Sequence, residues 1–118
     1  MLFRSSNTPL QALTLLNDQA HVECARALAV RLLGEAEGDE ARVTLGFRLT
    51  LARPPKERER KILLSLLDRQ RTALAKDAKE ARSLVLDTQV KGFEPAEQAA
   101  WVQLARVLMN LDEFITRE

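Results

Sequence analysis

Apolar positions in this chain recur at helical spacing along nearly its whole length. Leu10, Leu13 and Leu16 form a short apolar face, which Asn17-Asp18 interrupts. Val22, Ala25, Ala29, Leu32 and Leu33 make the next stripe, and Gly34 and Gly38 bracket its exit, as helix C-terminal chemistry prefers. Thr8-Pro9-Leu10-Gln11 has the spacing of a capping box with proline at the first helical position. The Thr8 hydroxyl can accept from the Gln11 amide, the Gln11 side chain can reach back, and Pro9 wastes no hydrogen bond there. Asp18 then reads as the N-cap of a second helix, running to about Leu33.

From Asp39 the pattern fits two periods. Val43, Leu45, Phe47, Leu49 and Leu51 alternate with polar or small residues as in a strand, yet Val43, Phe47 and Leu51 also fall at i, i+4, i+8. No other segment alternates, so a strand here would lack a ladder partner, and buried backbone groups left unpaired are costly. The reading is therefore helix, ended by Arg53-Pro54-Pro55. Lys56 to Lys76 is the clearest helix, with Leu63, Leu66, Leu67, Gln70 and Leu74 on one face and Ile62 widening the stripe. Asp77-Ala78-Lys79-Glu80 has capping-box spacing and starts a shorter helix through Ala81, Leu84 and Val85. Lys91-Gly92 breaks it. Glu94-Pro95-Ala96-Glu97 opens the last helix, which carries Trp101, Leu104, Leu108, Leu111 and Ile115 on one face, with Phe114 beside them and Asn110 as a candidate kink. The sum is an all-α fold, an antiparallel bundle of five to six helices, with Trp101, Phe47 and Phe114 as packing anchors.

Composition sharpens this picture. At 118 residues, with 46% hydrophobic and 30% charged side chains, the chain has the make-up of one soluble domain. A globule of this size buries roughly 65% of the surface its unfolded chain exposes. Aromatics are only 4%, with no tyrosine, so Leu, Ala and Val must build the core. The net charge of +1 comes from 18 basic and 17 acidic residues interspersed along the chain. A nucleic-acid partner, which would ask for a basic stripe, is not expected. The run Lys56-Glu57-Arg58-Glu59-Arg60-Lys61 alternates in sign and reads as a solvated helix surface with pairs such as Glu57–Lys61. No apolar run approaches the ~18 residues of a membrane span, and Met1-Leu2-Phe3-Arg4 lacks the apolar core of a signal peptide.

Reactive chemistry is sparse. His21 is the only histidine, which excludes a two-histidine metal site within the chain. Cys24, the lone cysteine, shares a helix face with His21 and reads as a small buried hydrophobe, with His21 at the surface beside it. There is no Cys-x-x-Cys-His, so this segment attaches no haem, and no phosphate-binding glycine loop; no cofactor is expected within it. The acidic pairs Glu35/Glu37, Asp39/Glu40 and Asp112/Glu113 do not make a glycosidase-type site alone. Two polar clusters remain as candidate binding residues: Arg4, Asn7, Asn17 and Asp18, which flank an apolar turn, and Asp112 and Glu113, which with Asn110 interrupt the apolar C-terminal face. Capping and bridging are the commoner uses of such short polar groups.

The segment Arg4 to Asp18, Arg-Ser-Ser-Asn-Thr-Pro-Leu-Gln-Ala-Leu-Thr-Leu-Leu-Asn-Asp, resembles the start of the C-terminal domain of unknown function in planctomycetal cytochrome-c-domain proteins. Phe47-Arg48 through Arg53-Pro54-Pro55 is similar to that family's Phe-Arg-x-x-x-x-Arg-Pro-Pro segment. Glu94 to Trp101 and Leu111 to Glu118 resemble its closing helix, so the resemblance covers essentially the whole chain. One departure stands out. Family members often place proline after the Asn-Asp pair, where this chain has Gln19, which leaves a kinked continuous helix from Pro9 to Leu33 open. The resemblance implies a large, exported, multi-domain parent with a haem c segment upstream, of which residues 1–118 form a single C-terminal helical domain. It carries no activity onto named residues.

The leading expectation is a non-catalytic structural or interaction module whose partner is the remainder of the parent chain or another protein. Detached from that parent, it should bare an apolar patch near Leu2, Phe3 and the Leu10–Leu16 turn. The rival is a substrate-binding or catalytic domain of a redox-linked enzyme, in which Arg4, Asn7, Asn17, Asp18, Asp112 and Glu113 line one pocket. A third possibility, a peptide-binding groove between helices, needs a long exposed apolar channel.

Overall fold

Residues 98–105 bury every side chain but that of Gln103, in a run that reads Gln-Ala-Ala-Trp-Val-Gln-Leu-Ala. A helix that is apolar nearly all round cannot sit on a surface and has to be wrapped by others. The computed structural model describes the backbone of residues 7–116 and the side chains of residues 19–111. Within that span are five helices and no strand: α1 (Asn7–Glu35), α2 (Asp39–Leu51), α3 (Glu57–Ala75), α4 (Ala78–Val85) and α5 (Pro95–Thr116). Helix α5 carries the buried run and packs against all four others, so the protein is an all-α helical bundle built around its last helix.

Each surrounding helix contributes a narrow stripe. Ala25, Ala29, Leu32 and Leu33 come from α1, Val43 and Phe47 from α2, Leu63, Leu67 and Leu74 from α3, and Ala81, Leu84 and Val85 from α4. Trp101 and Phe47 are the largest fully buried side chains. Phe114 lies outside the described side chains. The two-period segment is helix α2, and burial of Val43, Gly46 and Phe47 shows the i, i+4 pattern prevailing, while Leu49 stays 40% exposed.

Local signals set most ends. Gly38 precedes α2 at φ 90°, a conformation that side-chain-bearing residues rarely adopt. Ala52 closes α2 in the left-handed region ahead of Arg53-Pro54. The Asp77 carboxylate accepts the Glu80 amide at 3.1 Å, as its capping spacing predicts. Helix α5 begins at Pro95, as expected. The loop before it is held by the buried Gln98, whose amide donates to the Thr88 carbonyl (2.8 Å) and whose oxygen accepts from Val90 N–H (2.7 Å).

Several expectations need correction. The predicted break at Asp18 does not occur: α1 is one helix through Asn17-Asp18, and it begins at Asn7 rather than at Pro9. Asn and Asp disfavour a helix interior by only ~0.7 kcal/mol each, and Gln19 supplies no proline to enforce a stop. Pro9 still falls in the first turn, where a missing N–H leaves nothing unpaired. Helix α5 likewise runs on through Asn110. Cys24 is exposed, not buried, because Ala25 and Ala29 take the inward stripe and the preceding position turns about 100° away. Ile62 does not widen the core stripe of α3; it is 57% exposed. The Leu2, Phe3 and Leu10–Leu16 positions of the predicted apolar patch lie outside the described side chains.

Gly46 is the tightest point of the packing. A Cβ built there would come 2.7 Å from Leu108 Cδ1 and 3.3 Å from Leu32 Cδ1, so α2 approaches α1 and α5 only because this position is bare. Gly46→Ala gains up to ~1 kcal/mol of helix propensity. It meets overpacking that costs about 1–3 kcal/mol, since Leu108 is fully buried and cannot swing clear. The expected net effect is a loss of about 1 kcal/mol in urea unfolding. In a Leu108→Ala background the same change should become stabilising, and an unchanged sign there would refute the steric account.

Candidate functional site

The densest polar constellation among the described residues centres on Arg71, in the last third of α3. Its guanidinium grips two carboxylates at once. Nη1 and Nη2 donate to Asp39 Oδ2 and Oδ1, both at 2.8 Å, and Nε and Nη2 donate to Glu97 Oε1 and Oε2 at 2.8 and 2.6 Å. A third carboxylate, Asp68, accepts from Nη1 at 3.2 Å. The planar fork of arginine suits this paired recognition, which an ammonium could not reproduce. Asp39 is the first residue of α2 and Glu97 lies in the first turn of α5, where unpaired amides favour negative charge. Glu97 also accepts the indole N–H of the buried Trp101 at 3.1 Å. One cation therefore fixes the starts of two helices against the side of a third.

The electrostatics follow from these contacts. Hydrogen bonds from Arg71 hold the Asp39 carboxyl below its ordinary range, against the opposing effect of burial. The two carboxylates raise Arg71 further above its already high value. In this arrangement all five guanidinium donors face acceptors within the protein, and the carboxylates are committed to the same cation, which describes a clamp rather than a reacting centre.

Other arginines do similar work. Arg53 forms a two-pronged pair with Glu59, both contacts at 3.0 Å, and lies 4.8 Å from the centre of the Phe47 ring. Glu59 also accepts the Lys56 amide at 2.8 Å, and its carboxyl falls to about 2, chiefly through the Arg53 hydrogen bonds. Arg42 donates to the Ala36 carbonyl at 2.9 Å and spans the Phe93 and Trp101 rings at 5.3 and 6.0 Å. Arg26 reaches from α1 to the Leu84 and Ser83 carbonyls at 2.7 and 3.2 Å, satisfying acceptors at the C-terminal end of α4. In the alternating run, Glu57 pairs with Arg60 instead of with Lys61.

The concave surfaces are modest. A cleft of about 270 Å³ between α3 and α5 is floored by Leu66 and Val107 and edged by Gln70, Gln103, Arg106 and Asn110. Among the described residues no cluster of three or more His, Cys, Asp or Glu is arranged to hold a metal ion, and no helix is long and apolar enough to cross a membrane.

Of the six residues singled out from sequence, Arg4 lies outside the described residues altogether. Asn7, Asn17 and Asp18 fall in α1, and Asp112 and Glu113 in α5, in stretches whose side chains are not described. Asn110, grouped with the last two, is an exposed residue on the α3–α5 cleft. The residues that do converge, Asp39, Arg71, Glu97 and Trp101, were not flagged as a group. Asp39 and Glu97 were legible as helix-start acids, but nothing local ties either to an arginine 32 or 26 positions away.

Compared with known proteins, residues 4–67 match a family model described as "PSD1: Protein of unknown function (DUF1553)". That segment covers the described parts of α1 and α2 and the first part of α3, stopping short of Arg71. No curated protein and no solved structure matches the chain.

Replacing Arg71 by methionine leaves Asp39 and Glu97 facing each other without their cation. Breaking a fully buried pair costs about 3–5 kcal/mol; with Arg71 28% exposed, the expected loss is about 2 kcal/mol, read as a lower urea midpoint. A loss within the error of the measurement would show that the clamp adds nothing. A second expectation concerns acid. Glu59 lies at about 2 in the folded chain against an ordinary 4.5, so its contribution is complete above pH 4.5 and disappears as pH falls towards 2. Glu59→Gln should flatten the decline in stability across that interval, and curves of identical slope for the two proteins would contradict the assignment.

Proposed function

The chain belongs to the PSD1 family of proteins of unknown function (DUF1553), and from that premise we propose that it is a non-catalytic helical module that packs against or binds another polypeptide. The observation that carries this reading is the use made of its best-placed polar groups. Arg71, Asp39, Glu97 and Trp101 saturate one another across three helices, and Arg26, Arg42 and Arg53 each fasten one segment to the next. Such fastening gives a rigid shape, which is what a docking or spacing module requires.

The finer context belongs to the same proposal and rests on the sequence resemblance. The module would be the C-terminal domain of an exported, cytochrome-c-associated planctomycetal protein, with haem c held upstream in the parent. Its partner would then be the rest of that parent chain or a neighbouring protein.

Two measurements test this. The genomic reading frame continuous with Met1 should encode a Cys-x-x-Cys-His motif upstream. The separately expressed upstream polypeptide should bind this chain saturably in isothermal calorimetry. A frame without that motif overturns the cytochrome context. Lack of binding to any portion of the parent overturns the parent chain as partner, and substrate turnover by the isolated chain overturns the module reading.

A further inference from the structure

Helix α3 is amphipathic twice over. Its inward stripe of Leu63, Leu67 and Leu74 is buried, and its outward face is neither plainly polar nor covered. Ile62 is 57% exposed, and Leu66, Arg69 and Ala73 follow it at the 4-3-4 spacing that places all four on one line along the helix. Beside that line lies a shallow hollow of about 620 Å³ lined by Ser65, Asp68, Arg69, Thr72, Ala73 and Lys76. Small side chains at three of these positions let another backbone come close.

The charge on this face is one-sided, although the whole chain is nearly neutral at +1. Arg58, Lys61, Arg69 and Lys76 are all exposed, and none joins an ion pair within the described residues. The one carboxylate of the hollow, Asp68, is already drawn towards Arg71 at 3.2 Å. The surface is thus the exposed Ile62, the half-buried Leu66 and the exposed Ala73 among unpaired cations, from Arg58 to Lys76, a span of about 27 Å.

We infer that the outward face of α3 docks an acidic amphipathic helix of a partner protein, laid along Ile62, Leu66 and Ala73 with its carboxylates against Arg58, Lys61, Arg69 and Lys76. This deepens the module reading and rests on it. A second copy of the chain offering the same face would bring like charges together, which disfavours self-association there. An anionic lipid surface would meet the cations, but one exposed isoleucine gives it too little apolar area to insert. A partner helix needs only a few anchors at i, i+3/i+4 and i+7, and α3 provides that register.

The test uses the whole chain and fluorescent synthetic helices of about 20 residues, matched to the α3 span. One has leucines at i, i+4 and i+7 flanked by glutamates; the second has lysines in place of the glutamates; the third is a scramble of the first. The acidic helix should bind with micromolar affinity that weakens as salt rises, and the other two should bind at least about tenfold more weakly. Ile62→Arg, and separately Arg69→Glu with Lys76→Glu, should each reduce affinity about tenfold, while Lys79→Glu on α4 should not. Circular dichroism checks that each variant folds; all of these side chains are exposed. Equal binding by the Ile62→Arg protein, preference for the lysine helix, or binding to phosphatidylserine vesicles without peptide binding would each overturn the inference. Binding of the parent polypeptide to a face mapped away from α3 by amide chemical shifts would overturn the α3 assignment and leave the module reading intact.

Discussion

The middle of α5 has only a narrow strip, at Gln103 and Arg106, that water can solvate, and this constraint organises the remainder of the protein. Ala99, Ala100, Trp101, Val102, Leu104, Ala105 and Leu108 point in every direction around the helix, and all are fully buried. Four other helices must therefore supply apolar stripes from different sides, and none of them needs to be apolar all round itself. Many of the buried positions are alanine, so the covering helices come close, and bulk is concentrated in Trp101, Phe47 and the leucines. Gly46 takes this logic furthest: a methyl at that position would collide with Leu108 on α5 and crowd Leu32 on α1. With so few aromatics, close approach replaces large side chains as the way to fill the interior.

Close approach needs fixed helix ends, and the arginines provide them. Arg26, Arg42, Arg53 and Arg71 each reach from one segment to a carbonyl or carboxylate on another. Their long stems cover apolar surface while the guanidinium stays at the half-exposed rim, so the cost of burying a full charge is avoided. Arg42 and Arg53 also lie over aromatic rings, joining the ionic rim to the core beneath it. The near balance of charges in the composition conceals this division of labour, because a clamp and a solvated surface pair contribute identically to a net count.

What the sequence made legible follows the range of the interactions involved. The Asp77 cap, the Pro95 start, the Gly38 turn and the core leucines of α3 and α4 depend on residues within a turn or two of each other, and these readings match the structure. The choice of helix for 39–51 also matches, because a lone strand has no partner. The break expected at Asp18 misjudged a weak local preference that a long helix absorbs. Cys24 and Ile62 failed for another reason. Periodicity says which residues share a face, but only the packing of distant elements decides how far that face extends, and Ile62 is left 57% exposed. The Arg71 clamp joins residues 26 and 32 positions apart and had no local signature at all. The six residues proposed as a binding cluster lie outside the described side chains.

The two kinds of cation on α3 sharpen the distinction between building and binding. Arg60 and Arg71 lie on the same helix as Arg58, Lys61, Arg69 and Lys76, yet only the first two meet carboxylates. Arg71 lies on the inward side, where the helix starts of α2 and α5 converge. The unpaired four surround Ile62 and Ala73 on the opposite side, where no other element approaches within the described residues. The fold draws from α3 its buried leucines, Glu59 and Arg71, so an isoleucine among cations contributes little to holding the bundle together. Exposed isoleucine is common enough singly to need no explanation. An isoleucine in register with Leu66 and Ala73, beside a hollow and among unpaired cations, is the surface on which the proposed partner helix would lie.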